Sequence, residues 1–264
     1  MDEISKHVVE IFASGPCVGS EILGLLDCDD AVCLPVDKSK LLFSADGPYA
    51  KRLVMLSALV HASTDILAKG GRVIFALDCL SGTENEIIEM AESLSVQSRE
   101  LGIPVIGGNT NCPHDKGTLM RFSKGPCASI FVFGELLLPS PLKQSGGKLG
   151  DSLMLFGEPL WGDSRERMAK AKKLFSDWYA LLADIKSGSL VINAAKDVTK
   201  GGIKETAREI AEASKLGFEL FESPVHMTRN LDCFLISVDK KNASSLKALG
   251  ERLGCPILEV GELV

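Results

Sequence analysis

Between residues 138 and 151 the chain runs LPSPLKQSGGKLGD, rich in Pro, Ser, Gly and Lys and without any apolar period. No helix or strand suits it, because proline lacks a backbone N–H and glycine and serine favour turns. On either side, short apolar runs alternate with helix-length periodic segments. The chain is therefore expected to form two domains, 1–140 and 150–264, of α/β or α+β class. With 264 residues, 45% of them hydrophobic, it is long enough to bury a sizeable core.

In the first half, AVCLP and KLLFSAD read as strands joined by a polar turn at Asp37–Lys40. A helix over Arg52–Lys69 is stopped by Gly70–Gly71. VIFALDCL reads as a buried strand, and Glu84–Leu101 as a helix. IPVIGGNT reads as a strand running into a glycine turn, followed by strands TLMRF and SIFVFGELL. The second half gives strand DSLMLFGE, a long helix over 163–185, strand LVINAAKD and a helix over Ile203–Ser214. Strands FELFE and DCFLISVD, a helix over Ala243–Leu253 and strand PILEVGEL complete it.

A net charge of −6 disfavours a general nucleic-acid or membrane-surface binder, because an acidic surface repels a phosphate backbone. No apolar run approaches the ~20 residues of a membrane helix. The N-terminus, MDEISKHVVE, lacks a signal-peptide core. A cytoplasmic protein is expected. The 8 cysteines are scattered without a C-x-x-C pair, so buried reduced thiols are expected rather than a metal site.

Carboxylates recur at strand ends. Asp29 and Asp30 precede AVCLP, Asp46 ends KLLFSAD, and Asp197 ends LVINAAKD. Alternation along KLLFSAD puts Leu42, Ser44 and Asp46 on one face, with Gly47-Pro48 turning the chain. Any one of these aspartates could be simple turn chemistry. On the next helix, Ser57, His61 and Asp65 make one polar stripe through VMLSALVHASTDILA. An aspartate there is costly to bury unless paired or bound to a cation. A core hydrogen bond between His61 and Asp65 would account for the stripe equally well. Gly107-Gly108-Asn109-Thr110 and Thr199-Lys200-Gly201-Gly202 are glycine pairs beside strand ends. Such pairs let a backbone approach a phosphate, and Thr199 could cap the helix that follows. Lys196 and Lys200 flank Asp197, where they could reach a phosphate or simply be solvated.

Taken in order, DDA, FSAD, TDILAKGG, IGGNT and DVTKGG resemble the motifs of the aminoimidazole ribonucleotide (AIR) synthetase-related, PurM-like superfamily. That superfamily includes thiamine monophosphate kinase, selenophosphate synthetase and the hydrogenase-maturation carbamoyl dehydratase. The likeness extends from about Cys28 to the C-terminus and looks nearest to archaeal members such as the methanogenesis marker 2 proteins. It implies a two-domain fold whose N-terminal sheets pair into an intersubunit barrel in a homodimer. It also implies ATP in a groove, its phosphates held through Mg²⁺ by Asp29 or Asp30, Asp46, Asp65 and Asp197. Gly107, Gly108, Asn109, Thr110 and Lys200 would line the nucleotide site. Asn109 stands where relatives carry Asp or His, and His61 where they usually carry Asn. His61 and His114 are the possible bases, and no catalytic residue stands out. The function implied is ATP- and Mg²⁺-dependent phosphorylation of a small molecule. A thiamine monophosphate kinase-like enzyme and a nucleotide-binding regulator without turnover are the alternatives.

Overall fold

The computed structural model describes residues 3–16, 40–112, 125–222 and 227–264. They divide into two compact units. Residues up to Ile66, Val73–Glu135 and Asp163–Met168 make the first, and Leu67–Arg72, Leu136–Gly162 and Ala169–Val264 make the second.

The first unit contains α1 (Glu3–Ala13), β1 (Leu41–Ala50), most of α2 (Lys51–Ala68), β2 (Gly71–Ser81), α3 (Glu84–Leu101), β3 (Val105–Asn111) and β4 (Cys127–Leu136). The strands form a mixed sheet in the order β1-β4-β2-β3, with β1 and β4 antiparallel and β2 and β3 parallel. One face of the sheet buries Ala76, Leu80, Ala128, Ile130 and Val132 completely or nearly so. The other carries a row of aromatic rings. Phe43 meets Phe133 edge-on at 5.2 Å, and Phe133 stacks on Phe75 at 4.6 Å. Phe43 nevertheless keeps 65% of its surface exposed.

α3 starts and stops as its sequence dictates. Glu86 accepts hydrogen bonds from the Thr83 N–H and hydroxyl, and Gly102 closes the C-terminus in the left-handed region. α2 is different. Its backbone is non-helical at Ser57 (φ −167°, ψ 31°), so two helical pieces meet there. The buried Gln97 of α3 fills the gap. Its Oε1 accepts the Leu59 N–H at 3.0 Å, and its Nε2 donates to the Val54 carbonyl at 2.7 Å. One carboxamide thus satisfies a donor and an acceptor that the broken ladder leaves over. Arg167 Nη1 donates to Ser57 Oγ at 3.1 Å at the same break.

The second unit is an antiparallel sheet in the order β6-β8-β5-β9-β7, with α4 (Ser164–Ser187) from Ala169 onward, α5 (Gly202–Ser214) and α6 (Lys240–Leu253). Its strands are β5 (Ser152–Phe156), β6 (Ala194–Asp197), β7 (Phe218–Leu220), β8 (Phe234–Val238) and β9 (Ile257–Leu263). β5 and β8 are buried along their whole length, which is why SLMLF and FLISV do not alternate. Trp178 of α4 is completely buried. It stacks on Phe234 at 3.9 Å, meets Phe156 edge-on, and donates its Nε1–H to the Leu67 carbonyl at 2.7 Å. The buried Asp151 accepts from Ser237 Oγ, Asn193 Nδ2 and the Lys148 N–H, which makes it a satisfied structural carboxylate.

Several expected details differ. β1 does not turn at Gly47-Pro48. The register with β4 shifts between Asp46 and Tyr49, and Tyr49 and Ala50 resume pairing with Ala128 and Cys127. Gly107–Thr110 is not a turn but lies inside β3. Gly201, with φ at 92°, occupies the N-cap of α5 that Thr199 was expected to fill. AVCLP, TLMRF and His114 lie outside the described residues, as do Asp29 and Asp30. No helix among the described residues is long and apolar enough to cross a membrane.

Candidate functional site

The pleat of β1 presents Ser44 and Asp46 on the same face, and α2 follows directly. Ser44 donates its hydroxyl hydrogen to Asp65 Oδ2 at 2.6 Å. Asp46 accepts the Gly47 N–H on Oδ1 at 2.7 Å, and its Oδ2 lies 3.7 Å from His61 Nε2. The His61 ring meets Tyr49 edge-on at 5.5 Å. His61 thus has Asp46 on the strand as an ion-pair partner when protonated, and Asp65, one turn along its own helix, accepts from Ser44. The stripe expected from Ser57 through His61 to Asp65 is interrupted, because Ser57 sits at the helix break and is completely buried. What remains is a strand–helix junction bearing two carboxylates, of which Asp46 is one-third exposed. Half-buried carboxylates with a free lone pair are hard-oxygen donors, suited to a divalent cation that also keeps phosphate or water ligands. Among the described residues no group of three His, Cys, Asp or Glu side chains converges closely enough to hold an ion. That donor set fits Mg²⁺ arriving with a phosphate ligand, since such an ion takes only one or two carboxylates from the protein.

The glycine pair of β3 serves a neighbour. Asp78 of β2 pairs with Gly108, and the register slips between Ala76–Val105 and Asp78–Gly108, so β3 bulges by one residue. A Cβ built on Gly108 would collide with Asp78 Oδ1 and with the Asp78 carbonyl. Asp78 is 5% exposed, and burial alone pushes its carboxyl up to about 7. Asn109 is exposed and turns its amide toward Cys79 Sγ at 3.9 Å. Asp78 escaped the sequence reading, although an aspartate inside VIFALDCL was the signal for it.

In the second unit Asp197 ends β6 and is 4% exposed. Lys196 Nζ lies 3.9 Å from Asp197 Oδ1 and 3.3 Å from Glu209 Oε2. Lys200 is exposed. Gly202 (φ 68°) has no room for a side chain, because a Cβ there would lie 2.7 Å from the Met227 carbonyl and the Arg229 backbone. The Cys233 thiol is completely buried, and burial, with Asp232 and Asp197 nearby, pushes it well above its usual range. Cys255 rises to about 12, chiefly through burial. Both are inert thiols, and all five described cysteines are free.

Comparison with known proteins identifies the frame in which these residues sit. The AIR synthase related protein N-terminal domain matches residues 28–136, and the corresponding C-terminal domain matches residues 142–264. An uncharacterized protein of Methanocaldococcus jannaschii, MJ0799, is 31% identical over 244 residues, covering 91% of this chain and 77% of that one. The crystal structure of thiamine-monophosphate kinase from Stenotrophomonas maltophilia superposes with a TM-score of 0.69 at 18% identity, covering 100% of this chain and 94% of that one. The PurL of T. maritima complexed with ATP gives 0.70 at 14% identity, over 85% of this chain. This chain spans only 40% of that PurL. At these identities the two structures show a common two-domain, PurM-like α/β fold. With both domain matches and the relative above, this chain belongs to the AIR synthase related family.

Proposed function

We propose that the protein is an ATP- and Mg²⁺-dependent phosphotransferase-type enzyme that activates a small molecule by phosphorylation. The observation that carries this reading is the junction of β1 and α2, where Asp46 and Asp65 are presented together beside Ser44 and His61. In the proposed complex both carboxylates ligate Mg²⁺ on the ATP phosphates, with Asp29 or Asp30 and Asp197 completing the set. Bound Mg²⁺ would neutralise charge on the transferring phosphoryl group. Ser44 and the Gly47 N–H hold the two carboxylates in place before the nucleotide arrives. Gly107, Gly108, Asn109, Thr110 and Lys200 are assigned to the nucleotide. The occurrence of an ATP-complexed PurL among the structures of like fold supports this choice of ligand.

A thermal melt with ATP, ADP and matched Mg²⁺ controls tests the reading. A ligand at a hundred times its Kd that binds only the folded state adds about 2.7 kcal/mol. A shift requiring both ATP and Mg²⁺ supports the assignment, and no shift at saturating ATP removes it. The exposed, neutral Asn109 favours a second reading, a nucleotide-binding regulator without turnover. Binding without ADP release across a substrate panel would select it. The whole-length likeness to thiamine-monophosphate kinase makes thiamine monophosphate the first acceptor to assay. The aromatic face of Phe43, Phe75, Phe131 and Phe133 is proposed to be covered by a second copy of the chain, giving a homodimer, with the cytoplasm as the place of work.

A further inference from the structure

Asp78 is a carboxylic acid with no evident structural task. Asp151 and Asp239, which also serve the fold, accept hydrogen bonds from named neighbours. Asp78 has no hydrogen-bond or ion-pair partner among the described residues, although the residue is 5% exposed. A buried carboxyl without a partner is costly, and a fold that merely needed to fill this place would use an apolar side chain. On its own face of the sheet lie Ala76 and Leu80, both completely buried. Gly108, Asn109 and Thr110 flank it from β3, and none of them is charged.

Among the described residues, Gly108 marks an approach to this carboxyl. The carboxyl occupies the space that a side chain on Gly108 would take, and Gly108 itself is exposed. Any larger residue at 108 would displace the acid, while glycine leaves it separated from solvent by a bare backbone. The bulge in β3 occurs at this point, and bulges re-aim groups beside binding sites.

We infer that Asp78, approached over Gly108, is the hydrogen-bond acceptor of a small-molecule subsite that takes an amine or hydroxyl group. In a low-dielectric setting such a donor gains strongly from a carboxyl that no described residue satisfies. A carboxyl titrating near neutrality can also take up the donor's proton. The ligand's identity as the phosphoryl acceptor rests on the phosphotransferase reading, whereas the subsite itself does not.

The test is amide coupling on the intact protein with a water-soluble carbodiimide and ethanolamine, followed by peptide mass spectrometry. The activated carboxyl is attacked by the amine, urea leaves and an amide remains. One-third-exposed Asp46 is the internal standard. Ethanolamide at Asp78 in the wild type, absent from Asp78→Asn, is the expected result. Coupling at Asp46 with none at Asp78 overturns the subsite, since the acid would then be sealed. Repeating the reaction with ATP and Mg²⁺ separates the two readings. Protection of Asp46 with Asp78 still reactive supports the subsite and the metal assignment together, and removes Gly108 from the nucleotide lining. Protection of Asp78 as well overturns a separate acceptor subsite by assigning the acid to the nucleotide. Failure to protect Asp46 counts against the nucleotide site alone and leaves the Asp78 result standing.

Discussion

Ser44 donates its hydroxyl to Asp65 Oδ2 across 2.6 Å, tying the middle of β1 to the last turn of α2. The bond orients one carboxylate oxygen and leaves the other available. Two residues further along β1, Asp46 is oriented by its own strand through the Gly47 N–H. Asp46→Asn and Asp65→Asn should each weaken ATP binding measured in Mg²⁺ by about tenfold or more, roughly 1.4 kcal/mol. Melting temperatures without ligand should stay near the wild-type value. Titration calorimetry showing wild-type affinity in both variants would remove the metal assignment. Chelation of Mg²⁺ with EDTA should abolish the ATP-induced thermal shift altogether.

Gln97 has another kind of importance. Replacing it with leucine leaves the Leu59 N–H without its acceptor and the Val54 carbonyl without its main donor. Ser93 Oγ, 3.2 Å from the same carbonyl, offsets part of the loss. Urea unfolding should show a destabilisation of about 2–4 kcal/mol. A change within experimental error would mean that the break at Ser57 does not depend on the carboxamide.

Asp78 sets a pH dependence of folding. Its pKa rises on folding from 3.8 to about 7, so ionisation opposes the native state. The penalty is absent below pH 3.8, grows as pH rises through the window, and is complete above about 7. Asp78→Asn should therefore stabilise the protein at alkaline pH by a few kcal/mol, with about 4 as the upper bound. The gain should vanish toward the acid end of the window. Stability curves for the two proteins that run parallel between these limits would contradict the burial-driven shift.

Trp178 anchors the second unit. Trp178→Ala should cost about 3–5 kcal/mol through the cavity it leaves. Trp178→Phe should cost less, because a ring still stacks on Phe234 and the Leu67 carbonyl keeps the Gly70 N–H. Equal losses in the two variants, measured by denaturant unfolding, would assign the whole effect to the indole hydrogen bond.

Local chemistry was readable wherever neighbours in sequence decide the outcome. α3 runs over Glu84–Leu101 as expected, because Thr83, Glu86 and Gly102 set its ends without outside help. Alternation placed Ser44 and Asp46 on one face, and the structure uses both toward α2. Features made by distant partners were not readable. The break in α2 is bridged by a glutamine 38 residues beyond Leu59. A glycine pair usually means a turn, yet Gly108 is needed because Asp78 occupies its side-chain space from the adjacent strand. β1 continues past Gly47-Pro48 because β4 supplies partners for Tyr49 and Ala50, which no pattern within KLLFSAD could announce.

The interruption of α2 also divides its macrodipole. The piece after Ser57 is a short helix of its own, ending at Ala68, with no basic residue in its last turn. Asp65 stands in that turn, where the partial negative charge of the terminal carbonyls gathers. A carboxylate at the negative pole of a helix is normally avoided. Here the backbone and the side chain add their fields with the same sign. An approaching cation is attracted by both, and an anion not accompanied by one is repelled by both.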